Sequence, residues 1–150
     1  MEKNMPKVGM GVNIVNGKNQ IFLMLRKGNH EGGTWASVGG HLEMGESFLE
    51  CAKRELKEEV GLDLENIEML ATLNTIFSPE KHYITIEVLA KGISGMPKIM
   101  EPDKCEKIGW FDLNDLPQPL IFPLKMLLEE PGIKEKLMSL DSLKNSKRRL

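Results

Sequence analysis

An unusual crowding of carboxylates marks the segment GGHLEMGESFLECAKRELKEEVGL, residues 39–62. Residues three and four positions apart are neighbours on a helix, so Arg54 can reach Glu58, whereas Glu55 and Glu59 have no Lys or Arg at those spacings and face each other. Each such like-charge pair destabilises an exposed helix slightly, and destabilises it more beside a sheet that lowers the dielectric. A hard divalent cation with oxygen ligands, Mg²⁺ or Mn²⁺, would turn this repulsion into a metal site.

The glycines upstream of the acids favour a metal site over a plain charged surface. Glutamate is a good helix former and acidic turns facing solvent are common, so the carboxylates by themselves also fit a solvated face. Gly39 and Gly40, however, let the backbone approach a ligand closely. A helix that begins near Glu46 offers its N-terminal amide groups to an anion. Together these features predict a site for a metal ion and an anionic ligand.

Other elements must position this helix, and the hydrophobic pattern predicts them. An apolar stripe at helical spacing runs along residues 47–60, formed by Leu49, Ala52, Leu56 and Val60. The strand candidates are, in chain order, VGMGVNIV and QIFLMLRK around an Asn-Gly turn, the short TWASVGG, then IEMLATLN, HYITIEVLAK and EKIGWFDL. Two C-terminal helices are predicted at IFPLKMLLEE and IKEKLMSL. This order predicts an α/β fold in which helices sandwich a mixed β-sheet.

Composition limits the classes of function that the chain could have. With 150 residues, 41% of them hydrophobic, it suits one globular domain, which we place at residues 1–140, followed by a basic, frayed tail at 141–150. A net charge of −2 gives no electrostatic reason to expect a nucleic-acid polymer. No apolar run approaches the ~18 residues needed to span a bilayer, so no membrane partner is expected. The two cysteines lack metal-type spacing and predict free thiols in the cytoplasm.

The acidic segment resembles the Nudix box, Gx5Ex7REUxEExGU with U aliphatic. The sequence agrees at every fixed position, namely Gly40, Glu46, Arg54, Glu55, Leu56, Glu58, Glu59, Gly61 and Leu62. One departure lies nearby, because Val38 stands where many members have a proline before the paired glycines. The resemblance implies the α/β/α sandwich of that family. It also implies hydrolysis of a nucleoside diphosphate linked to another moiety, by attack of water at phosphorus with the help of Mg²⁺ or Mn²⁺.

The resemblance also implies roles for the matching residues. Glu58 and Glu59 match metal-binding positions, with the carbonyl of Gly39 as an additional ligand. Glu55 matches a metal-ligand or general-base position, and which carboxylate takes the proton stays open. Arg54 and Glu46 match a pair that braces the loop against the helix, which would orient the ligands.

Substrate choice lies outside the box. GGHLEMGE, ECAKRE, HYITIEV and EPDKCEKIGWFDLNDLP resemble, in the same order, nucleoside-triphosphate diphosphatases that include MutT-like sanitising enzymes. This implies release of pyrophosphate from an NTP or dNTP, and also a homodimer. ADP-ribose and other nucleotide sugars are the rival substrates, with Pro79 as a weak pointer toward them. A non-catalytic nucleotide-binding regulator is the alternative of another class, and the full set of box carboxylates favours an enzyme over it.

The candidates for substrate contact rest on residue type and position. Glu106 and Glu101 could supply a distal carboxylate to the metals or a group that recognises the base, and loop solvation is their alternative. Gly40 belongs to the box, and His41, next to the glycines, is well placed near phosphate, with an exposed loop histidine as its alternative. Trp35, Phe77, His82 and Tyr83 could stack on a base or hydrogen-bond to it, and ordinary core or strand packing is the alternative for each.

Overall fold

The computed structural model describes residues 4–28 and 31–144, and it contains the predicted elements in the predicted order. The strands and helices are β1 (Lys7–Asn13), β2 (Gln20–Arg26), β3 (Trp35–Ala36), β4 (Val38–His41), α1 (Phe48–Val60), β5 (Asn66–Ser78), β6 (Lys81–Lys91), β7 (Cys105–Asp112), α2 (Phe122–Glu129) and α3 (Ile133–Met138). No helix within the described ranges is both long and apolar enough to cross a membrane.

The strands form two sheets. The first is mixed, with the order β4-β1-β6-β5, and β1 runs parallel to β6 while the other pairs are antiparallel. The second is antiparallel, with the order β3-β2-β7, and the sequence did not separate it from the first. The mixed sheet confirms the predicted α/β class. One apolar core lies between α1 and the mixed sheet, and a second packs against α2 and α3.

Helix α1 is fixed at both ends and along its apolar face. Ser47 caps the N-terminus in a capping box with Glu50, because each side chain accepts a hydrogen bond from the other residue's backbone N–H. Gly61 ends the helix with φ of 69°, a conformation that favours glycine. Leu56 and Val60 of the predicted stripe are fully buried. The helix therefore has a fixed rotation, which sets the directions of its carboxylates.

The start of the predicted tail differs from the expectation of fraying. Ser142 is buried, its hydroxyl accepts a hydrogen bond from the backbone N–H of Val15, and its own N–H donates to the Val15 carbonyl. Leu143 forms a parallel bridge with Ile93. Residues 141–144 thus contact the domain because they satisfy backbone groups at the ends of its strands. The rest of the predicted tail, residues 145–150, lies outside the described residues.

Candidate active site

The two glycines of β4 bring its backbone against two carboxylates of α1. A Cβ atom on Gly40 would overlap the Glu55 carboxylate, so only glycine leaves room for that side chain. The backbone N–H of Gly39 donates a hydrogen bond of 2.9 Å to Glu59 Oε1. Glu55 is buried, and Glu59 is partly buried. The strand and the helix therefore hold both acids out of bulk solvent.

Arg54 ties the loop before the helix to the carboxylates on it. Its Nε and Nη2 donate to the two oxygens of Glu46, at 2.5 and 3.0 Å, and its Nη2 also donates to the His41 carbonyl at 2.9 Å. Its Nη1 donates to Glu55 at 2.8 Å and to Glu58 at 3.1 Å. The contact with Glu55 corrects the expectation that this acid has no cationic partner. Neighbours at i and i+1 diverge at Cβ, but the long guanidinium reaches around the helix.

The pKa values of the buried acids show that their charge is incompletely compensated. Burial raises the pKa of Glu55 to about 8, the charge of Glu59 and a hydrogen bond with Glu58 add to this, and Arg54 acts in the opposite direction. Burial also raises the pKa of Glu59 to about 7, against the hydrogen bond from Gly39. Additional positive charge at this place would stabilise the ionised forms.

The donor set fits a hard divalent cation. Glu55, Glu58 and Glu59 offer carboxylate oxygens from successive positions of one helix, and two of these acids are poorly compensated. Within residues 4–28 and 31–144, no three His, Cys, Asp or Glu side chains converge as a closed metal-ligand cluster. Side-chain rotation of the glutamates would therefore have to accompany cation binding.

A cavity of about 950 Å³ opens beside these acids. Glu59, Gly39 and Gly40 form one side of it, and residues of β1, β6 and α2 form the others. Its described lining includes five Lys and Arg side chains, namely Lys7, Arg26, Lys27, Lys81 and Lys104. The cavity is within the size range of small-molecule sites and combines carboxylates with cations, as expected for a metal-bound polyphosphate.

Several predicted substrate residues do reach this cavity. Phe77 and His41 line it, and Tyr83 stands between them, with Phe77 edge-on at 5.9 Å and His41 stacked at 5.4 Å between ring centroids. His41 Nε2 also lies 2.8 Å from the Tyr83 hydroxyl. Glu101 lines the cavity too, and its charge contributes to the raised pKa of Glu59. Glu101 thus lies on the side of the cavity nearest the acids.

Three other candidates face the wrong side of their strands. Trp35 packs edge-on against Phe111 at 4.8 Å in the second core, and the side chain after it, Ala36, lines the cavity. His82 contacts Asn74 Oδ1 at 2.5 Å instead of lining the cavity. Glu106 is exposed and stands apart from the cavity lining. The reason is the same each time, because successive strand residues point to opposite faces and the neighbours Ala36, Tyr83 and Cys105 take the cavity side.

One buried acid in the cavity lining was not predicted from the sequence. Glu87 lies in the middle of β6 and is 3% exposed. Burial raises its pKa to about 7, and a hydrogen bond from Asn13 acts against this shift. The signal was present in HYITIEVLAK, where one acidic residue interrupts an apolar strand, but the pattern alone did not show which face would be lined by polar groups.

Comparisons with known proteins agree with the fold and the site. A family model of the NUDIX domain matches residues 5–135. An ADP-ribose pyrophosphatase from Methanocaldococcus jannaschii is 34% identical over 110 residues, which cover 70% of this chain and 62% of the relative. An NAD-capped RNA hydrolase, NudC, from Pseudomonas aeruginosa is 28% identical over 112 residues, which cover 75% of this chain and 39% of the relative. The chain thus spans less than two thirds of either curated relative.

Solved structures show the same relationship at the level of the fold. The crystal structure of a MutT NUDIX hydrolase from Burkholderia pseudomallei is 37% identical, with a TM-score of 0.79, and covers 85% of this chain and 98% of that one. The NUDIX domain of Shewanella oneidensis NrtR, solved with ADP ribose, is 20% identical with a TM-score of 0.73, covers 90% of each chain, and supports the fold alone.

The fold and the acidic site define a NUDIX domain. This chain belongs to the Nudix hydrolase family.

Proposed function

We propose that this Nudix enzyme hydrolyses a nucleoside triphosphate, ribo or deoxy, to the monophosphate and pyrophosphate with the help of Mg²⁺ or Mn²⁺. The observation that carries the proposal is the cavity that adjoins the α1 acids at Glu59, includes five cationic side chains in its described lining, and ends on the buried acid Glu87. Such a cavity has room for a base at one end and for a polyphosphate chain at the other. A role in cleaning the nucleotide pool would follow from this activity.

The chain's own groups suit an attack of water on a polyphosphate. Gly39 and Gly40 leave the β4 backbone open to close approach, and the acids beside them would hold a divalent cation. Such a cation neutralises phosphate charge and lowers the pKa of a bound water. Arg54 fixes the loop and two of the acids in one arrangement. The four cationic lysines and Arg26 would attract the anionic substrate.

ADP-ribose is the second candidate substrate, and the named relative from Methanocaldococcus jannaschii favours it. The cavity has a volume of about 950 Å³, and Phe77 and Tyr83 offer aromatic surfaces for a base or a ribose. An ADP-ribose substrate would be cleaved at the same kind of linkage, by the same groups of α1. The two candidates therefore differ in what occupies the far side of the pyrophosphate.

A hydrolysis screen decides between them. The purified chain is incubated with Mg²⁺ and, separately, with dNTPs, NTPs, ADP-ribose and dinucleoside polyphosphates, and the products are identified by mass. Release of pyrophosphate and a monophosphate supports the first candidate, whereas AMP and ribose phosphate support the second. Nucleotides that raise the melting temperature but stay intact would overturn both and indicate a binding protein.

The control for the screen keeps the fold and removes one metal-binding carboxylate. Glu58 is half exposed, so Glu58→Gln should not disturb the core. Turnover that this variant retains in full would contradict the assigned role of Glu58. The homodimer and the cytoplasmic location stay predictions.

A further inference from the structure

Glu87 is the buried acid that the chemistry at α1 does not use. It lies on β6, where Tyr83, Thr85 and Glu87 alternate on the face that lines the cavity. It is 3% exposed, and the described residues place no Lys or Arg in an ion pair with it. A carboxylate in such a place needs hydrogen-bond donors, since burying an unpaired charge is costly.

The protein supplies donors to only part of this carboxylate. Asn13 Nδ2 donates to Glu87 Oε1 at 2.9 Å and to the Val88 carbonyl at 3.1 Å. Ser37 donates to Asn13 Oδ1 at 2.6 Å, which fixes the amide so that its NH₂ group faces the acid. Glu87 is therefore held as a hydrogen-bond acceptor by a chain of two polar side chains.

The second carboxylate oxygen opens to the cavity. Among residues 4–28 and 31–144, Asn13 is the side chain that donates to Glu87, and its bond uses Oε1. Every fully buried side-chain nitrogen or oxygen in those residues has a partner, so Oε2 must be accessible from the cavity. Oε2 is thus an acceptor aimed at whatever occupies that end of the cavity.

The neighbouring strand leaves room for this acid and for Tyr83 to lie against its backbone. Gly9 and Gly11 of β1 stand opposite Thr85 and Glu87 in the parallel register. A Cβ on Gly11 would collide with the Glu87 carboxylate, and a Cβ on Gly9 would come within 3.3 Å of the Tyr83 ring. The two glycines therefore hold an acceptor and an aromatic ring in the same cavity lining, an arrangement that suits a planar base whose edge carries N–H donors.

A purely structural role explains these features less well. The same position on β6 is followed by Val88 and Leu89, which are buried without polar groups, so an apolar residue at position 87 would fit the strand pattern. One hydrogen bond from Asn13 offsets only part of the free-energy cost of desolvating an acid. The arrangement is more readily explained if a ligand completes it.

We infer that Glu87 is a specificity-determining residue, whose Oε2 accepts a hydrogen bond from the exocyclic amino group of the substrate's base. This inference rests on the proposed function, because it assigns to the base the part of the same cavity that Glu87 lines. Bases with an amino group at the contacting position are accepted, and bases with a carbonyl group there are rejected because two acceptors would face each other. Thr85, whose hydroxyl lies 2.9 Å from that of Thr75, lines the cavity beside the acid.

The test compares substrates that differ only at the amino group. ATP is paired with ITP and CTP with UTP, so that a carbonyl group replaces the amino group, and the deoxynucleotides or ADP-ribose and its hypoxanthine analogue are used if the screen selects them. At about pH 8.5, where Glu87 with its raised pKa of about 7 is ionised, a hydrogen bond to this charged group predicts that kcat/KM favours the amino member of at least one pair by roughly 10- to 100-fold.

Glu87→Gln tests whether the acid carries that preference. The amide can still accept from Asn13 through its oxygen, and its NH₂ group would then face the base, so the preference should disappear or reverse toward the carbonyl member. Glu68→Gln is the matched control, because Glu68 lies outside the cavity lining, on β5, where it pairs with Lys91 and Lys136. It should leave the preference unchanged.

The possible failures are distinguishable. If the wild-type enzyme cleaves no nucleotide of any pair, the proposed function fails. If it cleaves both members of every pair equally well, the inference about Glu87 fails while the proposed function stands, and this comparison needs no variant. A Glu87→Gln protein that melts like the wild type yet keeps the wild-type preference would also overturn the inference.

Discussion

Arg54→Met should weaken the fold because it leaves two poorly exposed carboxylates without their cation. The Glu46 and Glu55 side chains are 12% and 10% exposed, and Arg54 itself is 24% exposed. Methionine keeps much of the apolar stem, so the loss is mainly that of the charged hydrogen bonds.

The magnitude follows from this degree of burial. Removing one partner of a fully buried pair costs roughly 3–5 kcal/mol, whereas an exposed pair contributes about 0–1 kcal/mol. Arg54 lies between these cases but serves several acceptors at once, so we expect a loss of about 2–4 kcal/mol in the free energy of unfolding. For a domain of this size that loss corresponds to a fall in melting temperature of roughly 5–15 °C.

The stability loss caused by Arg54→Met should depend on pH in a direction that the pKa of Glu46 sets. Hydrogen bonds from Arg54 are the largest cause that lowers the pKa of Glu46, to about 2 from 4.5. A depressed pKa means that the stabilisation is present above about pH 4.5 and is lost as the pH falls toward 2. The penalty of Arg54→Met should therefore be largest near neutral pH and should shrink in acid, as measured by urea unfolding in metal-free buffer.

Lys57→Met is the matched control on the same helix. Lys57 pairs with Asp63 at 2.6 Å, but the two side chains are 60% and 64% exposed, so little stability should be lost. The reasoning would be refuted if both variants lost equally little stability at neutral pH, or if the Arg54→Met penalty grew as the pH fell.

Three further predictions concern the glycines and the acids. Glu58→Gln should remove most turnover and leave the unfolding transition in place, as checked by steady-state kinetics and thermal melting. Gly40→Ala should lower both stability and activity because its Cβ would overlap a carboxylate, whereas Gly109→Ala, whose Cβ would sit in ordinary contact with the Phe111 ring, should be tolerated; equal melting temperatures would contradict this. Burial raises the pKa of Glu87 to about 7, so its contribution to stability is present below about pH 4.5 and is lost as the pH rises to 7. The free energy of unfolding of the wild type should therefore fall by roughly 1–3 kcal/mol between these pH values, and Glu87→Gln should remove most of this fall.

The acidic helix could be predicted in detail because its signals are local. Capping, the apolar stripe and the C-terminal glycine all lie within a few residues of one another, and the structure starts the helix at Phe48 and ends it at Val60. The approach of Gly40 to Glu55 and of Gly39 to Glu59 is not local, since it depends on how β4 pairs with β1. Here the Nudix motif supplied the proximity that periodicity could not.

The choice between strand faces could not be made from the sequence. Each of the three misplaced substrate candidates belongs to a strand whose next or preceding residue lines the cavity, and a shift of one position reverses the face. Both faces of these strands are at least partly covered, so apolar alternation does not identify the cavity side. The second sheet escaped prediction for a similar reason, because strand order is decided by pairing between distant segments.

Glu87 shows how an acid that violates the strand pattern becomes interpretable once the register is known. In the sequence it is one charged residue within an apolar run, a pattern that an exposed edge position would also explain. The structure instead pairs β6 on both sides, with β1 and β5, so the residue cannot reach solvent along an edge. Gly11 on β1 then provides its space, and Asn13 on the same strand provides its donor. The distance of these partners along the chain, more than seventy residues, is why only the register reveals an acceptor directed into the cavity.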